Sequence, residues 1–258
     1  PMPPEHWTDV RAKYTPEQLE HLTHDWVSKS ADEGTLLPQD APPPCDPASL
    51  NSEQRCVFEK LMAHRRAQIV SETSGTPPPS PLRLTVYGLG GTGKSHVLNC
   101  FKQAIDAEAD RANAVAPPGS ARAARSDRLV KVMAPSASAA VGVGGSTIHS
   151  TQGLSLPTTD RHGDLKSEVV EYKSGSEGLK KLQQKNRGAE YYFFDECGMI
   201  GAQTLALINS RMNQAHVGQS KDTTFGDKSV ILFGHFAQLP PINDPTIYNS
   251  PYGKKRLS

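Results

Sequence analysis

Eight consecutive residues, Gly88-Leu89-Gly90-Gly91-Thr92-Gly93-Lys94-Ser95, do most to limit what this chain can fold into. They match G-x-x-x-x-G-K-[ST] and directly follow the apolar run Leu84-Thr85-Val86-Tyr87. A strand that runs into a glycine-rich turn, with a helix starting at its far end, belongs in an α/β sheet. The glycines of Gly90-Gly91-Thr92-Gly93 let backbone N–H groups close around a phosphate without Cβ clashes. The following helix N-terminus adds partial positive charge there. Lys94 is the candidate for the β- and γ-phosphates of ATP, and the Ser95 hydroxyl is the candidate ligand for Mg²⁺. The plain alternative is a chance glycine turn carrying a lysine, and the flanking strand and helix patterns argue against it.

From Pro81 onward strand and helix patterns alternate. Strands are expected at 82–87, 128–133, 191–194 and 229–233, and helices at 94–109, 136–141, 179–185 and 202–215. Three of the strands are continuous apolar runs, as expected where helices cover both faces of a parallel sheet. Upstream, a helix is expected from about 52 to 70, with Val57/Leu61 and Phe58/Met62 at i,i+4 spacing, broken by Gly75-Thr76-Pro77-Pro78-Pro79. The Ala/Pro/Gly/Arg-rich stretch 112–125 and the polar stretch 156–176 read as loops or small insertions. Residues 1–44 read as a separate helical extension. Thr15-Pro16-Glu17-Gln18 is a helix start, Leu19, Leu22 and Trp26 share a face, and Ala41-Pro42-Pro43-Pro44 forms a linker.

The second chemical signal is Tyr191-Tyr192-Phe193-Phe194-Asp195-Glu196, an apolar strand that ends in two carboxylates. A phosphate loop needs an acid at the end of a neighbouring strand to hold Mg²⁺ through its waters, which suits Asp195. An adjacent acid can activate the attacking water, which suits Glu196. Gln238, just past the last strand, could sense a γ-phosphate, although its chemistry alone fits a solvated glutamine in a proline-terminated loop equally well. Asn51 and Gln54 form a capping-box pattern; the alternative for Gln54 is that its amide reads an adenine edge.

Net charge is +1 and 36% of residues are apolar, so any basic surface for a nucleic acid must be local. No apolar stretch approaches the roughly 18 residues of a membrane span, so no membrane partner is expected. Cys45, Cys56, Cys100 and Cys197 contain no C-x-x-C pair, so the spacing indicates neither a zinc site nor a disulfide framework, and an intracellular, reducing compartment is the simplest expectation.

Five segments in order carry a family resemblance: Leu50-Asn51-Ser52-Glu53-Gln54; Gly88 to Ser95; Ala134-Pro135-Ser136-Ala137-Ser138-Ala139-Ala140 with Gly144-Gly145-Ser146-Thr147-Ile148-His149-Ser150; Asp195-Glu196-Cys197-Gly198-Met199-Ile200; and Gly234-His235-Phe236-Ala237-Gln238-Leu239-Pro240-Pro241. This succession resembles the Pif-type DNA helicases of superfamily 1, above all the branch carried by Helitron-like transposons. The resemblance implies a RecA-like motor domain over 45–258, a P-loop NTPase with a parallel sheet and helices on both faces. It implies ATP and Mg²⁺ as cofactors, single-stranded DNA as partner, and 5′→3′ tracking in DNA repair or recombination. It also implies a nuclear or mitochondrial location in a eukaryote. By the same resemblance Gln54 contacts adenine, Lys94 and Ser95 hold phosphate and metal, Asp195 holds Mg²⁺, Glu196 activates water, and Gln238 couples the γ-phosphate to DNA. Ser136, Thr147 and His149 would line the strand groove; a capping or core role is the alternative for His149. Lys131 and the Arg122/Arg125/Arg128 group could add an electrostatic path or form a solvated basic loop.

Three departures from the family pattern matter. His235 stands where the family usually has aspartate. Ala134-Pro135-Ser136-Ala137 replaces an Ala-Pro-Thr-Gly pattern. Little sequence follows Pro241, where the family's second RecA-like domain and its arginine normally lie, so the expectation is the N-terminal ATPase half of a motor. The competing expectation is a catalytically impaired, transposon-derived nucleotide or DNA binder.

Overall fold

The computed structural model describes residues 45–116, 123–154, 158–159, 165–166, 171–216, 223–236, 239–242 and 244–249. The helix expected near Thr15, Arg122, Gln238 and the basic end 254–256 lie outside the described residues. The chain divides into two units at Pro42/Pro43, and the description below concerns the second.

Helix α1 (Ser52–Ser74) starts at a complete capping box: the Asn51 side chain accepts from the Gln54 N–H, and the Gln54 side chain accepts from the Asn51 N–H. Gly75 ends it in the left-handed conformation, before the prolines. Strand β1 (Arg83–Tyr87) leads into helix α2 (Lys94–Val115). A short helix α3 (Ser126–Leu129) precedes β2 (Val130–Ala134), and α4 (Ala137–Gly142) links β2 to the two-residue β3 (Ser146–Thr147). Helix α5 (Ile148–Gln152) follows, then a small antiparallel pair, β4 (Thr158–Thr159) and β5 (Leu165–Lys166). Helix α6 (Glu177–Asn186), β6 (Tyr191–Phe194), α7 (Ala202–Ala215) and β7 (Ser229–Gly234) complete the domain.

The main sheet runs β1-β7-β6-β2-β3, and every pairing is parallel. Period-two alternation sorts its side chains into two layers. Tyr191 and Phe193 of β6, Val130 and Val132 of β2, and Ile231 and Phe233 of β7 meet Leu61, Met62, Leu98, Phe101 and Ile105 of α1 and α2. Tyr192, Phe194, Met133 and Val230 face the other way, onto Ile148, Leu154, Ile208 and Met212. Both faces of β6 are therefore buried, which is why no charged residue interrupts its four positions. Strand β1 differs because it is the edge. Leu84 and Val86 pack on the first layer, while Arg83, Thr85 and Tyr87 are exposed.

Two expectations, one of a loop and one of a strand start, need correction. Helix α2 continues six residues beyond 109, because Arg111-Ala112-Asn113-Ala114 are tolerable helix residues and Pro117 comes only later. The segment 126–129 is helical, not the start of a strand. Its opening is fixed by Asp106, which accepts from the Ser126 N–H at 2.8 Å and from its hydroxyl at 2.9 Å. Arg125 pairs with Asp106 and Asp110 on α2, so its charge is matched within the domain.

The cysteine reading also changes. Sequence spacing indicated no disulfide, yet Cys45 and Cys100 are paired as one across 55 residues of sequence, with His96 beside them. The juxtaposition is tertiary: Leu50 packs with Val97 and Cys100, and the Cys45 N–H donates to the Gln103 side chain at 2.7 Å.

Candidate nucleotide site

The phosphate loop sits at the carboxyl end of β1, where ligands of open parallel sheets collect. Gly91 and Gly93 both have φ of 78°, left-handed positions that favour glycine. The Thr92 hydroxyl donates back to the Leu89 carbonyl at 2.9 Å and tightens the turn. The Lys94 ammonium folds over the loop and donates to the carbonyls of Gly88 (2.8 Å) and Leu89 (2.9 Å). The Gln54 amide reaches the same loop and donates to the Thr92 carbonyl at 3.0 Å. One side chain thus both caps α1 and ties it to the loop, with a second N–H and a second lone pair not used in these bonds.

Strand β6 delivers the acids one strand beyond β7. The Asp195 N–H donates to the Met133 carbonyl at 2.8 Å, which extends the β2/β6 ladder to the carboxylate. Asp195 is only 9% exposed, and burial raises its carboxyl pKa above the usual range, partly offset by the Glu196 N–H and the Lys94 charge. Glu196 is half-buried and left-handed (φ 51°, ψ 46°), an unfavourable conformation for a residue with a Cβ. Burial beside these acids pushes the Cys197 thiol up to about 11, so it stays neutral.

The turn after β7 packs tightly against the acids. A Cβ on Gly234 would lie 2.7 Å from the Cys197 nitrogen, and one on Gly198 would lie 2.6 Å from the His235 carbonyl oxygen. His235 stacks on Tyr87 with ring centroids 4.4 Å apart, and its Nε2 is 2.7 Å from the Tyr87 hydroxyl. Tyr87 was not singled out from sequence. Its register opposite Gly234, one residue before His235, is the signal that becomes readable once β1 and β7 are paired.

Ser136, Thr147 and His149 gather at the carboxyl ends of β2 and β3. Ser136 caps α4 by accepting from the Ala139 N–H, and Thr147 caps α5 by accepting from the Ser150 N–H, each at 3.2 Å. Both hydroxyls thus have structural employment. His149 is half-buried, and its carbonyl accepts from Gly153 and from Leu154 at the end of α5.

A parallel sheet with a glycine-rich loop ending one strand and a buried acid ending another defines a P-loop NTPase of the α/β class. A family model described as "AAA domain" matches residues 80–251. The chain belongs to that family, and within it is similar to the Pif-type helicases of superfamily 1. It is 26% identical over 208 residues to the ATP-dependent DNA helicase PIF7 of Trypanosoma brucei brucei, covering 81% of this chain and 16% of that protein. It is 28% identical over 155 residues to the ATP-dependent DNA helicase Pif1 of Bdellovibrio bacteriovorus, covering 60% of this chain and 28% of that protein. The chain therefore spans well under a third of either relative. The crystal structure of Pif1 helicase from Candida albicans superposes with a TM-score of 0.50 at 20% identity, covering 81% of this chain and 38% of that one, a likeness of fold. Among the described residues, no helix is long and apolar enough to cross a membrane.

Proposed function

We propose that this domain is the N-terminal ATPase half of a 5′→3′ DNA helicase motor, binding Mg·ATP and single-stranded DNA. The observation that carries the proposal is the placement of Lys94, on the loop after β1, and buried Asp195, directly after β6, both at the carboxyl end of the parallel sheet. A cation for phosphate and an acid for Mg²⁺ would thus stand at the same end of the sheet, with Glu196 next to Asp195 in the chain. When bound, Mg²⁺ would be held through Ser95 and Asp195 and would neutralise charge on the phosphates. Lys94 would exchange the Gly88 and Leu89 carbonyls for phosphate oxygens. Glu196 would orient and deprotonate a water. Gln54 would use its remaining donor and acceptor on adenine. Gln238 would couple the γ-phosphate to DNA through Ser136, Thr147 and His149. A second RecA-like domain in the full-length protein would form the opposite wall of the groove and supply an arginine to the transferring phosphoryl group. An intracellular, reducing site, nuclear or mitochondrial in a eukaryote, accompanies this reading.

Glu196→Gln tests the assignment. Mg·ATP binding should persist while ATP turnover, measured with and without single-stranded DNA, falls by at least about 10². Turnover equal to wild type would remove Glu196 from the chemistry.

One observation favours a second reading, a motor with impaired coupling. An imidazole stacked on Tyr87 occupies the family's aspartate position. His235→Asp should raise DNA-stimulated turnover when the partner domain is supplied; unchanged turnover would dismiss this reading.

A further inference from the structure

We propose that Cys45, His96 and Cys100 form a binding site for a thiophilic divalent cation, Zn²⁺ above all, against the back of the phosphate-loop helix. One ligand atom from each residue lies within 4.8 Å of the others. His96 and Cys100 are four residues apart on α2, so both project from one face. Cys45 comes from the turn that leads into Leu50–Gln54. His96 Nε2 lies 3.7 Å from the Cys45 sulfur and 3.9 Å from the Cys100 sulfur. A tetrahedral ion bonded at roughly 2.3 Å to sulfur and 2.0–2.1 Å to nitrogen separates those atoms by roughly 3.6 Å. The imidazole thus stands nearly equidistant from two sulfurs, at the third corner such an ion needs.

In the structure the two sulfurs are paired as a disulfide; once reduced and shared around an ion they would separate to roughly 3.8 Å. The Cα atoms, 5.1 Å apart, permit this by side-chain rotation alone. A sulfur–sulfur bond is the rival arrangement, but it gives the histidine no task. Cys100 is buried and Cys45 half-buried, while His96 is exposed, so one side of the site opens to solvent, where a water completes the coordination. Binding is an acid–base exchange without redox chemistry: both thiols lose their protons to solvent, both thiolates and neutral His96 bond the ion, and no electron moves. The ion would clamp the segment carrying Gln54 onto the helix that begins with Lys94.

The test uses the full chain purified under a phosphine reductant, with zinc counted by mass spectrometry after dialysis and cobalt substituted to read thiolate charge-transfer absorption. The expected result is about one zinc per chain, release of two protons per zinc bound, and a cobalt–thiolate band. Cys45→Ser should abolish all three. His96→Ala should weaken zinc by more than roughly tenfold. Circular dichroism matching wild type confirms that both variants fold, and neither replaces a fully buried side chain. Absence of zinc in the reduced, folded wild type would overturn the proposal. So would equal zinc in all three proteins, or a Cys45–Cys100 disulfide recovered in place of zinc under the reductant.

Discussion

Gly93 and Gln54 should be energetically coupled, because the glycine leaves the space the amide needs. A Cβ at Gly93 would collide with Gln54 Nε2, the atom that donates to the Thr92 carbonyl. Gly93→Ala also forces alanine into the left-handed region, which costs about 1–2 kcal/mol. Displacing the amide removes a hydrogen bond worth about 1 kcal/mol net. The sum is about 2–3 kcal/mol, slightly reduced by the stiffer unfolded chain. Gly91 supplies the control: it shares the 78° φ, but a Cβ there meets nothing within 4 Å. Gly91→Ala should therefore cost only the conformational part, about 1–2 kcal/mol. In a Gln54→Ala background the collision disappears, so Gly93→Ala should cost about 1 kcal/mol less than it does alone, while Gly91→Ala should be unchanged. Urea unfolding without nucleotide, followed by circular dichroism, measures all four differences. Equal costs at the two glycines in both backgrounds would refute the idea that Gln54 braces the loop.

Three further outcomes follow from the same contacts. Asp195 has its pKa raised by burial, so the native domain holds that proton more tightly than the unfolded chain and the ionised group opposes folding as pH rises; Asp195→Asn should raise Tm at pH 7 yet lose Mg²⁺-dependent nucleotide binding, and a lowered Tm would contradict the burial argument. His216 is depressed from 6.5 to about 4 by burial and by Lys228, and its Nε2 lies 2.7 Å from the Tyr192 hydroxyl. The unfolded chain takes up that proton first, so stability present above pH 6.5 should be lost as pH falls towards 4, by up to roughly 3 kcal/mol. His64 is depressed in the same direction, so His216→Asn should flatten the profile only in part. Asp244 caps α7 from a distant segment, accepting from the Gln203 and Thr204 N–H groups and the Thr204 hydroxyl. Asp244→Ala should destabilise by about 1–2 kcal/mol in urea unfolding, with Asp244→Asn recovering part of it.

What the sequence disclosed was whatever depends on local order. The run Tyr191 to Phe194 announced a strand buried on both faces, and Asn51 with Gln54 announced a capped helix; the structure has both. What it hid depends on distance. Gln54 was offered as either a cap or a ligand-reading amide, and the fold shows it capping α1 while gripping the loop, a role no spacing rule encodes. Cys45, His96 and Cys100 meet only because Leu50 packs on α2, although His96 and Cys100 at i,i+4 were a clue in plain view. The left-handed backbone of Glu196 had no signal, since glutamate carries no marker for that conformation.

Isothermal titration of Mg·ATP into wild type and Lys94→Ala tests the central claim most directly. Lys94 rests on two loop carbonyls, which the proposed function has it exchange for phosphate. Saturable heat in wild type that requires Mg²⁺, weakened at least about tenfold in Lys94→Ala, is the predicted result. Equal binding in both proteins, or none in a folded wild type, would contradict it.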